Sequence, residues 1–262
     1  PLGTDLAFPF LGDFTLRYLF VDPLSFIFGI IFCILGIIGG IYSCHNKSPL
    51  EAFCSMAYVG SSIGVVLAHD WITFLCFWEL EAVTSTFLIW NDPRPGSKSA
   101  GIRYILIHTL SGNCVLFGVI LKLVAGDLLV HNLTSGPHDL AFWLILLGFS
   151  INAAAVPLHG WLVDGYPAAT LTGSVFMSSC TTKVAVYALL RVFDGTELLI
   201  GVGVLMALYG ATFAVMENDM IRLLSYHIVS QVGYMVAGVG IGTLMSLNGA
   251  TAHAVCHILY KS

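Results

Sequence analysis

The sequence predicts an all-α bundle of membrane-spanning helices, and three observations carry that prediction. Of 262 residues, 57% are hydrophobic and only 10% charged, against about 25% charged in an average soluble domain. Mean hydropathy is +0.89. Nine apolar segments, each roughly the 17–25 residues that a spanning helix requires, are separated by turn-forming clusters. The net charge of −5 and the lack of a basic stripe exclude nucleic acid as a partner, and no polybasic segment addresses lipid head groups.

Residues 1–20 read as an extramembrane lead-in. The start Pro1-Leu2-Gly3-Thr4-Asp5 has no signal-peptide pattern. Segments 24–42 and 50–68 are the first two. The third, 71–90, contains Glu79 and Glu81, and the breaker run Asn91-Asp92-Pro93-Arg94-Pro95-Gly96-Ser97 ends it. The fourth, 102–125, carries His108; after Asn132–Pro137 the fifth, 140–157, is followed by His159, Trp161 and Asp164. The sixth, 171–191, holds Lys183 and closes before Asp194-Gly195. The seventh is 198–216. Asp219 and Arg222 open the eighth, 223–245, which bears His227. The ninth, 247–261, presents His253, His257 and Lys261 at i, i+4 and i+8, on one helical face. It is still apolar when the sequence stops, and residue 1 is Pro, so a transmembrane domain over 21–262, truncated at both ends, is expected.

The loop cations divide between alternate sides. Lys47, Arg94, Lys98, Arg103 and Arg222 fall on one, and Arg17, Lys122 and Arg191 on the other. The first side is expected to be cytoplasmic.

Two charges lie deep. Lys183 is about 12 Å from Arg191 at the end of its segment, and Glu79 about 13 Å from Asp70. A charge at mid-bilayer costs about 2.5–3.5 kcal/mol on the insertion scale. Opposite charges on different spans point to a buried pair on an ion or proton path; the alternative is a structural salt bridge. Glu81 lies about 200° around the helix from Glu79. Glu79 is therefore chosen for the path, and Glu81 is expected to meet a neighbouring subunit or a loop. The run Thr170–Thr182 is rich in Ser and Thr, which satisfy carbonyls freed by a helix break, so a discontinuous helix ahead of Lys183 is expected. Close packing through small residues would leave the same pattern.

His108, His159, Asp164, Asp219, Arg222, His227, His253 and His257 complete a set of candidate relay groups with Glu79, Lys183 and Lys261. Histidine titrates near physiological pH, which suits proton relay; for each one singly, a hydrogen-bonded structural role is the alternative. The seven cysteines are scattered without a Cys-x-x-Cys, which argues for buried apolar thiols rather than disulfides or metal clusters. His253-x-x-x-His257 lacks a third ligand. No cofactor motif is present; haem ligation by histidines of separate helices is the alternative from another class, and an inactive scaffold is another.

The stretch Pro157-Leu158-His159-Gly160-Trp161-Leu162-Val163-Asp164 and the run Thr181-Thr182-Lys183-Val184-Ala185-Val186-Tyr187 resemble the antiporter-like membrane subunits shared by Mrp-type sodium/proton antiporters and respiratory complex I, the NADH:quinone oxidoreductase. Trp78-Glu79-Leu80, Asp219-Met220-Ile221-Arg222 and His257-Ile258-Leu259-Tyr260-Lys261 follow the same pattern in order, with D-type Mrp wording around Lys183 and Lys261. The resemblance implies an inverted-repeat fold, of which this chain covers the first repeat and the start of the second. It further implies pairing of Glu79 with Lys183, continuation of the path at Lys261, and partner membrane subunits in a bacterial inner membrane. Protons, and sodium as coupling ion, would be the cargo. The alternative within the family is a pumping subunit of complex I or of a membrane hydrogenase. Val163 and Gly165 replace Pro and Ala of the family pattern, and Asn152 and Ile221 stand where lysines are common, which removes relay lysines, so the route is expected to lean more on His108, His227 and bound water. At an effective dielectric of about 20, an ion pair is worth about 4 kcal/mol at 4 Å and 1.7 at 10 Å. The difference equals that of moving one charge through about 100 mV.

Overall fold

The computed structural model describes residues 2–11, 14–46 and 48–261; Lys47, one of the loop cations, lies outside them. Acidic residues start several of its helices. Asp22 forms a capping box with Ser25 at α1 (Pro23–Ser43), and Ser48 caps α2 (Pro49–Leu67). Asp70 receives the Thr73 amide at 2.7 Å and its hydroxyl at 2.8 Å at the start of α3 (Trp71–Trp90). Side-chain caps of this kind satisfy amides that have no intrahelical partner. Gly96, with φ 99°, precedes α4 (Ser97–Val124), and Asp139 caps α5 (Leu140–Asn152).

The fifth segment is shorter than expected. Its helix ends at Asn152, Ala154 takes φ 59°, and Pro157, which has no amide proton to continue a helix, follows. The chain then makes the short helix α6 (Gly160–Ala168), fixed by the Trp161 indole donating to the Ile151 carbonyl at 2.9 Å. The expected break in the sixth segment is present. Helix α7 (Leu171–Ser179) ends at Cys180, with φ −97° and ψ −71°, and α8 (Thr181–Val192) begins directly after it. Helices α9 (Leu198–Met216), α10 (Met220–Ile241) and α11 (Leu244–Lys261) complete the bundle.

The lead-in contains a two-stranded antiparallel hairpin, β1 (Asp5–Leu11) and β2 (Phe14–Phe20), so the described structure is not wholly helical. Arg17 pairs with Asp5 at 3.2 Å, and its carbonyl accepts the His69 amide at 3.1 Å, tying the hairpin to the start of α3.

Six spans among the described residues, with α7 and α8 taken as one, are long and apolar enough to cross a membrane. Helices α10 and α11 have 22 and 18 residues but carry the histidines. The outer face of α1 exposes Ile30, Ile34, Ile37 and Ile41, whereas Phe28, Ile31, Phe32 and Leu35 turn inward. That distribution fits a helix with lipid on one side. Helices α9 and α10 meet backbone to backbone, because a Cβ at Gly203 would come within 2.4 Å of the Ala237 nitrogen. Of the loop cations, Arg94 and Arg222 border one surface pocket with Asp164, to which Arg103 is paired at 3.2 Å. Arg191 binds Asp22 at 2.7 Å at the hairpin end.

Candidate functional site

The break between α7 and α8 is built from hydroxyls. Thr170 caps α7 by accepting the Gly173 amide at 3.0 Å, and Ser174, Ser178 and Ser179 donate back to carbonyls of the preceding turn. At the break the Thr181 amide donates to the Tyr58 hydroxyl at 2.9 Å. The Thr181 hydroxyl also meets Tyr58, and lies 3.5 Å from that of Tyr104, which donates to Ser85 at 2.9 Å. A helix that stops leaves carbonyls without partners. One of them, that of Ser178, accepts the Lys183 ammonium at 2.5 Å. Lys183 is fully buried, and its side chain runs back across the break to the end of α7.

Helices α10 and α11 bring a second group against this one. His257 is fully buried, with its ring 6.2 Å from that of His227 and 6.3 Å from that of His253, and both its nitrogens lack a hydrogen-bond partner. Lys261 donates to the Leu224 carbonyl at 2.9 Å, and its ammonium is 3.3 Å from Nδ1 of His227. His257 and Lys261 are within electrostatic range of Lys183. A cavity of about 470 Å³ is bordered by Asp92, Arg94, Ser178, Ile221 and Lys261, so it runs from the α3–α4 loop to the residue that holds Lys183. Beyond the spans, burial of Asp92 is outweighed by hydrogen bonds from Arg94, which keep its carboxyl below the usual carboxylate range. The mouth of the cavity thus carries a carboxylate and a guanidinium.

Glu79 sits elsewhere. It is half-buried and packs onto α4, where a Cβ at Gly112 would fall 1.7 Å from its Oε1. One turn earlier on α4, His108 is buried between the rings of Tyr104 (4.1 Å) and Trp161 (4.6 Å), and neither of its nitrogens has a partner. Among the described residues no ion pair joins Glu79 to Lys183, so the expected pair is not formed in this structure. Glu81 corrects a second expectation. It meets neither loop nor exterior: it is 4% exposed, faces α2, and contacts the Ser62 hydroxyl at 3.1 Å. The reason is that α3 packs against both α2 and α4, so both of its faces are interior.

The other candidates take local roles. Asp219 caps α10 through the Ile221 and Arg222 amides, each at 2.9 Å, and Arg222 pairs with Glu217 at 3.6 Å. Asp164 pairs with Arg103, and His159 packs on Tyr209 at 4.7 Å. Asn152 is buried at the end of α5 with its Oδ1 unpartnered. Sequence reasoning missed Gln231, whose Oε1 lies 2.8 Å from Nε2 of His253; its place four residues after His227, on the same face of α10, was the available signal. It also missed Tyr58 and Tyr104. Glu51 is a further unforeseen buried carboxylate. It accepts from Thr170, Thr172 and Asn91, joining the starts of α2 and α7 to the end of α3.

Known proteins share this fold. Over its whole length the chain superposes on 31% of a chain in the structure of the Mrp complex from Dietzia sp. DQ12-45-1b, with a TM-score of 0.91 and 27% identity. The membrane-bound sulfane sulfur reductase, an archaeal respiratory complex, shares the fold at a TM-score of 0.84. In sequence, the chain is 28% identical to NADH-quinone oxidoreductase subunit M of Escherichia coli K12, over 92% of this chain and 53% of that one. It is 30% identical to a probable K(+)/H(+) antiporter subunit of Rhizobium meliloti, over 97% of this chain and 27% of that one. It therefore spans about half the length of the first relative and about a quarter of the second. The transmembrane family "NADH:quinone oxidoreductase/Mrp antiporter" matches residues 68–262, a stretch that includes the helix break, Lys183 and the histidine-bearing helices. This polytopic membrane chain belongs to that family.

Proposed function

We propose that the chain is the proton-translocating part of a subunit of a monovalent cation/proton antiporter, working with other membrane subunits in a bacterial inner membrane. The observation that carries this reading is Lys183: a lysine fully buried at a helix break, bonded to the carbonyl of a residue that borders a cavity reaching Lys261. Protons enter beside Asp92 and Arg94, reach Lys261 and His227, and pass by His257 to Lys183. Glu79 and His108 form the approach along α4. Histidine and lysine supply the acid–base groups, and no cofactor is needed for the step. The D-type membership rests on motif wording alone, and sodium is proposed as the coupling ion.

The deciding experiment places the full assembly in vesicles and follows internal pH. Cation-dependent proton flux, lost in Lys183→Met, supports the reading. Flux that requires an electron donor and an acceptor instead favours a redox-driven pump, a second reading supported by the likeness to subunit M of E. coli. The same residues would then serve a different driving force.

A further inference from the structure

Glu81 is absent from the path just proposed, yet its surroundings are those of a working proton site. The Ser62 hydroxyl lies 3.1 Å from Oε1 of Glu81 and 2.9 Å from the Tyr58 carbonyl, and it also contacts the Cys180 thiol. One hydroxyl has one proton, so donating to both oxygens at once splits that proton into a weaker three-centre bond. Each contact becomes a full hydrogen bond when Glu81 is a carboxylic acid: Glu81 then donates to Ser62, and Ser62 donates to Tyr58. Among the described residues no cation lies within ion-pair distance of Glu81.

The carboxylate form is provided for as well. The Tyr58 carbonyl also accepts from Ser61 at 2.8 Å, so it stays bonded when Ser62 turns its proton toward Glu81. The site thus accommodates Glu81 with and without its proton by rotating one hydroxyl. Tyr58 on α2, Tyr104 on α4, Tyr166 on α6 and Cys180 at the break are titratable groups within electrostatic range of Glu81. Cys180 is within electrostatic range of both Glu81 and Lys183.

We propose that Glu81 is a second proton-binding group of the route, lying on the α2 side of the helix break and exchanging its proton with water of the route. On unloading, the carboxyl O–H bond breaks and an O–H bond forms on a water molecule, which passes the proton on towards Lys183 once the lysine has released its own. The carboxylate left behind accepts the Ser62 hydroxyl, and loading is the reverse step. Glu79, on the opposite side of α3, does not occupy this place. The inference rests on the proton-path reading above.

The test uses the full assembly in vesicles, with infrared spectroscopy and proton flux measured on the same preparations. The carbonyl-stretch band of a protonated carboxyl is expected in the wild type, absent from Glu81→Gln and retained in Glu79→Gln. Flux in Glu81→Gln is expected to fall about a hundredfold, the low end of what a positioned acid–base group contributes, and Glu81→Asp is expected to restore part of it. A band that survives Glu81→Gln, or unchanged flux in that variant, overturns the inference. Should Glu81→Gln fail to assemble, Ser62→Ala decides. It leaves the carboxyl in place and removes the rotating hydroxyl, so reduced flux supports the exchange and unchanged flux overturns it. Lys183→Met keeps the two levels apart. Flux lost there but intact in Glu81→Gln sinks only the role of Glu81, whereas flux intact in Lys183→Met sinks the path itself.

Discussion

Replacing Lys183 with Met tests the path most directly, because Met keeps an unbranched side chain of similar length and removes only the ammonium. Two structural costs can be set against each other. The Ser178 carbonyl loses a donor at 2.5 Å, and an unsatisfied buried carbonyl costs about 1–3 kcal/mol. Against that, a fully buried cation is replaced by an apolar group in a packed site, which recovers about 2.5–3.5 kcal/mol on the insertion scale. The terms offset, so the variant is expected to insert and assemble. Transport fares differently. Without the amine, a proton must cross the midplane with no group to bind it, at the same cost of about 2.5–3.5 kcal/mol. At 1.36 kcal/mol per decade that slows flux by about 70- to 400-fold. The assay is pH-sensitive dye fluorescence in vesicles holding equal amounts of assembled complex, checked by native gel. An assembled Lys183→Met complex with flux within a few-fold of wild type would refute the reasoning.

Other substitutions probe the surrounding groups. Gly112→Ala should push the Glu79 carboxylate back by more than about 1 Å, since a Cβ there would fall 1.7 Å from Oε1; if Glu79 serves the route, flux drops by up to about a hundredfold while the melting temperature of the complex hardly changes. His227→Ala should cut flux and flatten its pH dependence between pH about 5 and 8. Ile221→Lys, in the cavity that Lys261 also borders, should restore part of the rate; an unchanged rate and pH profile in His227→Ala would take that histidine off the path. Glu51→Ala should destabilise the complex by at least about 2 kcal/mol in thermal unfolding, because three donors lose a charged acceptor.

How much of this was legible in the sequence depended on what each residue had to satisfy locally. The apolar runs marked nearly every helix, because spanning length and side-chain hydropathy are local properties. The hydroxyls from Thr170 to Thr182 announced the break, since their bonds go to carbonyls of their own turn. The Glu79 and Glu81 assignment failed in part for a non-local reason. Helical phase placed the two on opposite faces of α3, but α3 has no single polar face and is covered on both sides, so phase alone could not say which face looked toward the break. The hairpin escaped because its pairing depends on two short strands meeting, with register shifts at Leu6/Ala7 and Pro9/Leu11 that blur the alternation. Gln231 and Tyr58 carry no charge to draw attention in an apolar run, and only the fold brings them to His253 and Thr181.

The anchoring of α7 shows where a change at Lys183 would be felt. With 9 residues, α7 is too short to hold its shape without tertiary bonds. Its first turn is fixed by Glu51 accepting from Thr170 and Thr172. Just ahead of it, Arg94 donates to the Ala169 carbonyl at 2.7 Å. Its far end rests on Lys183 bonding Ser178 and on Tyr58 holding Thr181. Loss or redirection of the lysine bond therefore leaves the first turn in place and loosens the last, at Ser178–Cys180. Ser178 borders the cavity and Cys180 contacts Ser62. A single bond at the break thus joins the state of Lys183 to the side of the helix that meets the cavity and to the side that meets Glu81, and any motion that gates the route should begin there.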